Sequence, residues 1–170
     1  MPFGFAQGYG ERAKASRTMK ISAQEEYGLR CLLQLARTRQ GEIVTVKEIA
    51  TKEGLSTAYV EKLMRLLGKA GLVHSLRGTK GGYVLNRPPS QVTLGEVVRA
   101  VGQVPSTDHI CTQFTGTKAE CVHFSNCGIR SVWSGLTNFI QNFMDRTTVD
   151  SLLGDEYAVS NRLSKGMSVK

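Results

Sequence analysis

The sequence predicts a mainly α fold with a small β-hairpin wing: a winged helix-turn-helix followed by a long C-terminal dimerisation helix. Three observations carry this expectation. Two short helical stretches, at 46–52 and after Ser56, are joined by a turn at Gly54 and Leu55. Behind them, the strand-like runs LVHSLRG and GGYVLN are separated by Thr79 and Lys80, with enough glycine for a hairpin turn. Further on, GIRSVWSGLTNFIQNFMDRT places Ile129, Val132, Trp133, Leu136, Phe139, Ile140, Phe143 and Met144 at alternating steps of three and four.

Residues 1–18 are rich in glycine and polar groups without a period, and are expected to be a disordered extension ahead of Met19. From Ser22, the segment AQEEYGLRCLLQLAR gives a wide apolar helical face from Tyr27, Leu29, Cys31, Leu32, Leu33, Leu35 and Ala36, so a first helix should run to near Gly41. Thr45, with Glu48 three residues later, forms a capping-box pattern for the second helix. Ser56 can cap the third, in which Val60, Leu63, Met64 and Leu67 repeat at helical spacing and Gly71 closes the run. This domain should span residues 19–90, with Pro88 and Pro89 ending the wing. A linker helix, VTLGEVVRAV, capped by Thr93 and Glu96, and a cysteine-bearing loop fill residues 91–126. A helix at 127–150 cannot bury so long an apolar stripe alone, so it either packs on its own domain or forms a seam with a second copy; pairing on two half-sites favours the second, a dimerisation helix. Residues 151–170 read as a polar, flexible tail.

The charge is lopsided. Of a net +8 over 170 residues, residues 1–90 hold 15 Lys or Arg against 7 Asp or Glu, whereas residues 91–170 hold 7 of each. A basic half suits a polyanion such as double-stranded DNA. The wing tip, Arg77-Gly78-Thr79-Lys80-Gly81-Gly82, adds two cations on a pliable backbone, as close approach to phosphates or the minor groove requires, although a plain polar hairpin end would look the same. No run of about 18 apolar residues suggests a membrane span, and the first residues lack the apolar centre of a signal peptide, so a cytoplasmic location is expected.

In that compartment four cysteines argue for metal or redox chemistry over structural disulfides. Cys111, Cys121 and Cys127 fall within 17 residues, and their soft thiolates could converge on cluster iron or on zinc. Cys31, within the apolar face of the first helix, reads as a small buried hydrophobe. A disulfide-exchange enzyme is disfavoured because no C-x-x-C pair exists, and the chain is not expected to be an enzyme. A winged helix that binds protein is disfavoured by the basic wing.

MKISAQEEYGLR, IATKEGLSTAYVEKLMRLLGKAGLV and SLRGTKGGYVL, together spanning much of residues 19–150, resemble the IscR and NsrR family of bacterial winged-helix transcription regulators. The resemblance implies a homodimer that senses an iron-sulfur cluster (2Fe-2S or 4Fe-4S), nitric oxide or redox state. It implies that the helix from Ser56 reads the major groove through Ser56, Thr57, Tyr59, Glu61, Lys62 and Arg65, and that Arg77, Thr79 and Lys80 of the wing reach the backbone or minor groove. Glu61 is either a solvated helix charge or an acceptor for a cytosine amine. As cluster ligands the resemblance implies Cys111, Cys121 and Cys127. The IscR branch has a histidine three positions after the last cysteine, where this chain has Arg130. The NsrR branch instead uses an acidic residue of the opposite subunit eight positions into the motif, which from Met19 is Glu26. Glu25, His109 and His123 compete for that role, and a cluster-free regulator switched by thiol oxidation or holding structural zinc is the alternative.

Overall fold

The computed structural model describes residues 21–78, 81–104, 116–118 and 120–167. Six α-helices and one antiparallel hairpin are found among them, in the expected order: α1 (Ala23–Ala36), α2 (Val46–Glu53), α3 (Thr57–Lys69), β1 (Val73–Leu76), β2 (Gly82–Leu85), α4 (Leu94–Val101), α5 (Gly128–Arg146) and α6 (Glu156–Met167). Residues 1–18 lie outside the described residues. No described helix is long and apolar enough to cross a membrane.

Three of the helices begin with the same device. The side chains of Ser22, Thr45 and Thr93 accept from the amides of Glu25, Glu48 and Glu96, and each glutamate carboxylate accepts from the cap residue's own amide. Two otherwise orphaned donors are satisfied at each start. Ser56 caps α3 through the amide of Tyr59, without the reciprocal glutamate. Gly54, at φ +66°, ends α2 in the left-handed region that glycine tolerates best, and so sets the turn of the helix-turn-helix.

The core is contributed mainly by α1, α3 and α4. Cys31, Leu32 and Leu35 of α1, Val60, Leu63, Met64 and Leu67 of α3, and Val97 and Val101 of α4 are buried together with Ile49, Leu72 and Val73. Gly28 is where α1 meets α4 most closely, since a Cβ there would sit 2.8 Å from one methyl of Val101 and 2.9 Å from the other. The hairpin pairs Val73 with Leu85 through Leu76 with Gly82. Val44 joins it as a short third strand, exchanging backbone hydrogen bonds of 3.0 and 2.9 Å with Tyr83. A Cβ on Gly82 would lie 2.5 Å from the Val44 carbonyl oxygen, so the approach requires glycine.

Two boundaries differ from expectation. Helix α1 ends at Ala36, not near Gly41: the Thr38 hydroxyl donates to the Leu35 carbonyl at 2.8 Å and competes for the last turn. Residues Glu156–Met167 form a helix where a flexible tail was expected. Ala158 donates its amide to the Asp155 carboxylate at 2.8 Å, the guanidinium of Arg162 donates to the carbonyls of Ser151 and Leu153, and Val159 and Leu163 are half-buried. The polar composition hid a helix to which a capping carboxylate, an arginine and two half-buried apolar side chains contribute.

Helix α5 is fastened at its C-terminal end. Met144 is buried, Asp145 pairs with Arg99 at 2.6 Å, and the backbones of Thr147 and Val149 bond to those of Leu94 and Val92 at 2.8 Å each. Its first half stands away from the core. Ile129, Val132, Trp133, Leu136 and Phe139 are 66, 68, 47, 47 and 60% exposed.

Candidate functional site

The start of α3 presents Ser56, Thr57, Glu61, Lys62 and Arg65 to solvent, while Val60, Leu63, Met64 and Leu67 hold the other face in the core. The polar face is therefore fixed in direction by packing beneath it. Tyr59 is half-buried because its ring meets Tyr27 of α1 edge-on, with centroids 6.2 Å apart at 78°. Lys62 stands over the Tyr59 ring at 6.0 Å, and Arg30 over Tyr27 at 5.7 Å. Such edge-to-face and cation-π contacts restrict the Tyr59 and Lys62 side chains near where a groove would be read. Tyr27 and Arg30 were not expected at this surface. Tyr27 fitted the apolar face of α1, and nothing in the spacing tied it to Tyr59.

The wing projects beyond β1 and β2. Arg77 is exposed, and Gly78 at φ +123° accepts at its carbonyl from the Gly81 amide at 2.9 Å. Thr79 and Lys80 lie outside the described residues. Arg65, Lys62 and Arg77 thus supply exposed cations on two consecutive elements, the arrangement phosphate contacts need.

Of the expected ligands, Cys121 and Cys127 are free thiols, half-buried, and Cys127 immediately precedes α5. Cys111 and His109 lie outside the described residues. Among the described residues no three His, Cys, Asp or Glu side chains converge as a metal site. The donor set suits a soft metal centre even so, because thiolates are what iron-sulfur clusters take. Glu26 is at the surface of α1, its carboxylate 2.8 Å from Arg30 of the next turn. His123 is exposed. Arg130, in the position of the IscR-branch histidine, donates to the Phe124 carbonyl at 2.6 Å and lies 5.6 Å from that ring, so it braces the turn ahead of α5.

Glu25 is engaged elsewhere. Its carboxylate accepts from the Ser22 amide at 2.7 Å and from the Gln103 amide at 3.0 Å. Burial alone would raise its pKa, but the amide hydrogen bonds outweigh that and lower it. Cys31 is fully buried, and burial, with the nearby charge of Glu53, pushes its thiol up to about 12, which makes it unreactive at neutral pH.

Comparison with known proteins gives a consistent answer. Residues 21–155 match the Rrf2 family, described as iron-dependent transcriptional regulator. The chain is 33% identical to the HTH-type transcriptional regulator IscR of Vibrio atlanticus over 137 residues, covering 81% of this chain and 76% of that protein. It is 28% identical to the HTH-type transcriptional regulator NsrR of Bacillus licheniformis over 146 residues, 86% of this chain and all of that one. Among solved structures, CymR, the global cysteine regulator of B. subtilis, superposes with a TM-score of 0.64 at 30% identity, covering 79% of this chain and 96% of that chain.

Proposed function

Because this chain belongs to the Rrf2 family of transcriptional regulators, we propose that it acts in the cytoplasm as a homodimer whose operator affinity is set by an iron-sulfur cluster. Its ligands are Cys111, Cys121 and Cys127 of one copy and Glu26 of the other. The chain is a winged-helix regulator and not an enzyme. The observation that carries the cluster reading is the donor set: three thiols within 17 residues, together with a surface carboxylate at the position where the NsrR branch places its acidic ligand.

Two copies are needed for a physical reason. The first half of the apolar stripe of α5 is exposed, and a second α5 laid across it would cover Val132, Trp133 and Leu136. Dimerisation would set two copies of α3 at the spacing of two half-sites. On each α3, Ser56, Thr57, Tyr59, Glu61, Lys62 and Arg65 meet base edges and nearby phosphates, while Arg77, Thr79 and Lys80 take the flanking backbone. When bound, the cluster would supply an oxidisable, ligand-accepting centre. The second reading is a cluster-free switch through thiol oxidation or structural zinc, and the likeness to CymR, one structure of which is of an oxidised form, favours its oxidation arm.

The test is operator binding by cluster-loaded and cluster-free protein across a salt series. The proposal expects an affinity difference of tenfold or more between the two forms, a steep fall with salt in the tighter form, and loss of the difference in Glu26→Ala. Equal affinities in the two forms, with cluster content verified, would refute cluster control.

A further inference from the structure

The cysteine-bearing segment leaves α4 at Gly102, and two consecutive side chains of α1 hold that exit. Gln24 donates its amide to the Val101 carbonyl. Glu25 accepts the Gln103 amide at 3.0 Å, and its carboxylate is so close to Gly102 that a Cβ there would lie 2.1 Å from Oε1. The same carboxylate takes the Ser22 amide at 2.7 Å, so one group closes the first turn of α1 and ties it to residue 103. Tyr27, two positions after Glu25 on α1, packs against Tyr59 of α3. Continuous contact therefore runs from the exit of the cysteine segment, through the first turn of α1, to the base-reading start of α3.

We infer that Glu25 is a positioning residue: it fixes the direction in which the cysteine segment departs from α4 and makes the first turn of α1 the element that responds to the state of that segment. This rests on the cluster-controlled reading for its consequence at the operator, but the tie itself does not. A capping glutamate needs only its own cap residue, and Glu25 reaches 78 positions further along the chain to do a second job. Displacing the carboxylate releases the Gln103 amide, leaves the bond from Gln24 to the Val101 carbonyl in place and touches no cysteine.

The experiment uses the full chain and four forms: wild type, Glu25→Ala, Gly102→Ala and Ser22→Ala. Gly102→Ala pushes the same carboxylate aside from the opposite side and leaves Glu25 in place, while Ser22→Ala removes the cap hydroxyl but keeps the bond from Glu25 to Gln103. Hydrogen exchange at the Gln103 amide is measured in the cluster-free protein, with alkylation of Cys31 as the monitor of global opening, because its burial keeps it silent in the folded state. The ratio of operator affinities between cluster-loaded and cluster-free protein is then measured for each form. Expected are exchange at least fivefold faster in Glu25→Ala and Gly102→Ala with Cys31 still protected, no such change in Ser22→Ala, and an affinity ratio that shrinks at least threefold in the first two only. Unchanged exchange in both variants overturns the tie. Faster exchange with an unchanged affinity ratio overturns its role in signalling. If the wild type takes up no cluster, the function proposed above fails, and exchange alone still decides whether Glu25 holds the exit.

Discussion

At the scale of single residues, the fold depends on contacts that leave no room for change. Gly28 faces both methyls of Val101, a β-branched side chain with little rotamer freedom, so Gly28→Ala has to separate α1 from α4 or force Val101 off its rotamer. We expect a loss of about 1–3 kcal/mol, read from urea unfolding, whereas Gly68→Ala, where a new Cβ finds its nearest neighbour at 3.7 Å, should cost little. Equal stabilities for the two variants would contradict the close approach. Residue chemistry was unevenly legible in the sequence. The burial of Cys31, Val60, Leu63 and Met64 followed from spacing alone, because a 3.6-residue period points such side chains one way. The partners of Tyr27 and Glu25 did not, since edge-on ring packing and a bond to residue 103 join positions far apart in the chain.

At the scale of elements, helix starts were the most readable feature and helix ends the least. Thr45 with Glu48 and Thr93 with Glu96 advertise capping boxes because both halves of the motif lie within four residues. The same pattern at Ser22 and Glu25 is equally local. In contrast, the end of α1 was set by a threonine hydroxyl, and α6 was hidden by its polar composition. Glu96 carries a prediction at this scale. Burial raises its pKa, but the Thr93 amide bond and Arg87, 2.8 Å away, outweigh burial and hold it below its usual value of 4.5. A folded-state pKa lower than the unfolded one contributes stability that is fully present above the unfolded value and is lost as pH falls through the folded value. Urea unfolding should therefore show Glu96→Gln less stable than wild type by about 0.5 kcal/mol at pH 7, since glutamine keeps the capping box and loses only the charge, with the difference shrinking as pH drops below 4.5. A difference that stays constant from pH 7 to pH 3 would contradict this.

At the scale of the whole molecule, a compact reading head and an outlying helix divide the work. Of the described residues, 21–78 and 81–90 carry α3 and the hairpin with the exposed cations Lys62, Arg65 and Arg77, and those beyond 91 form α4, α5 and α6. The excess of cations in residues 1–90 agrees with the exposed Lys62, Arg65 and Arg77, and four of the fifteen lie in residues 1–20, outside the described residues. How α5 would be used was legible only as an alternative, since an apolar stripe can pack on its own domain or on a second copy, and the exposure of Val132, Trp133 and Leu136 favours the second. Leu136→Glu should then shift the protein from dimer to monomer in sedimentation and weaken operator binding at least tenfold, with helical content intact. A dimer that persists with undiminished operator affinity would send the interface elsewhere.

The most direct test of the central claim is the iron and acid-labile sulfide content of anaerobically purified protein, with its visible absorption spectrum, for wild type and Cys111→Ala. Cluster control predicts stoichiometric iron and sulfide with visible absorbance in the wild type and their loss in the variant. A wild type that remains colourless and iron-free after reconstitution would contradict it and leave a thiol or zinc switch as the working account.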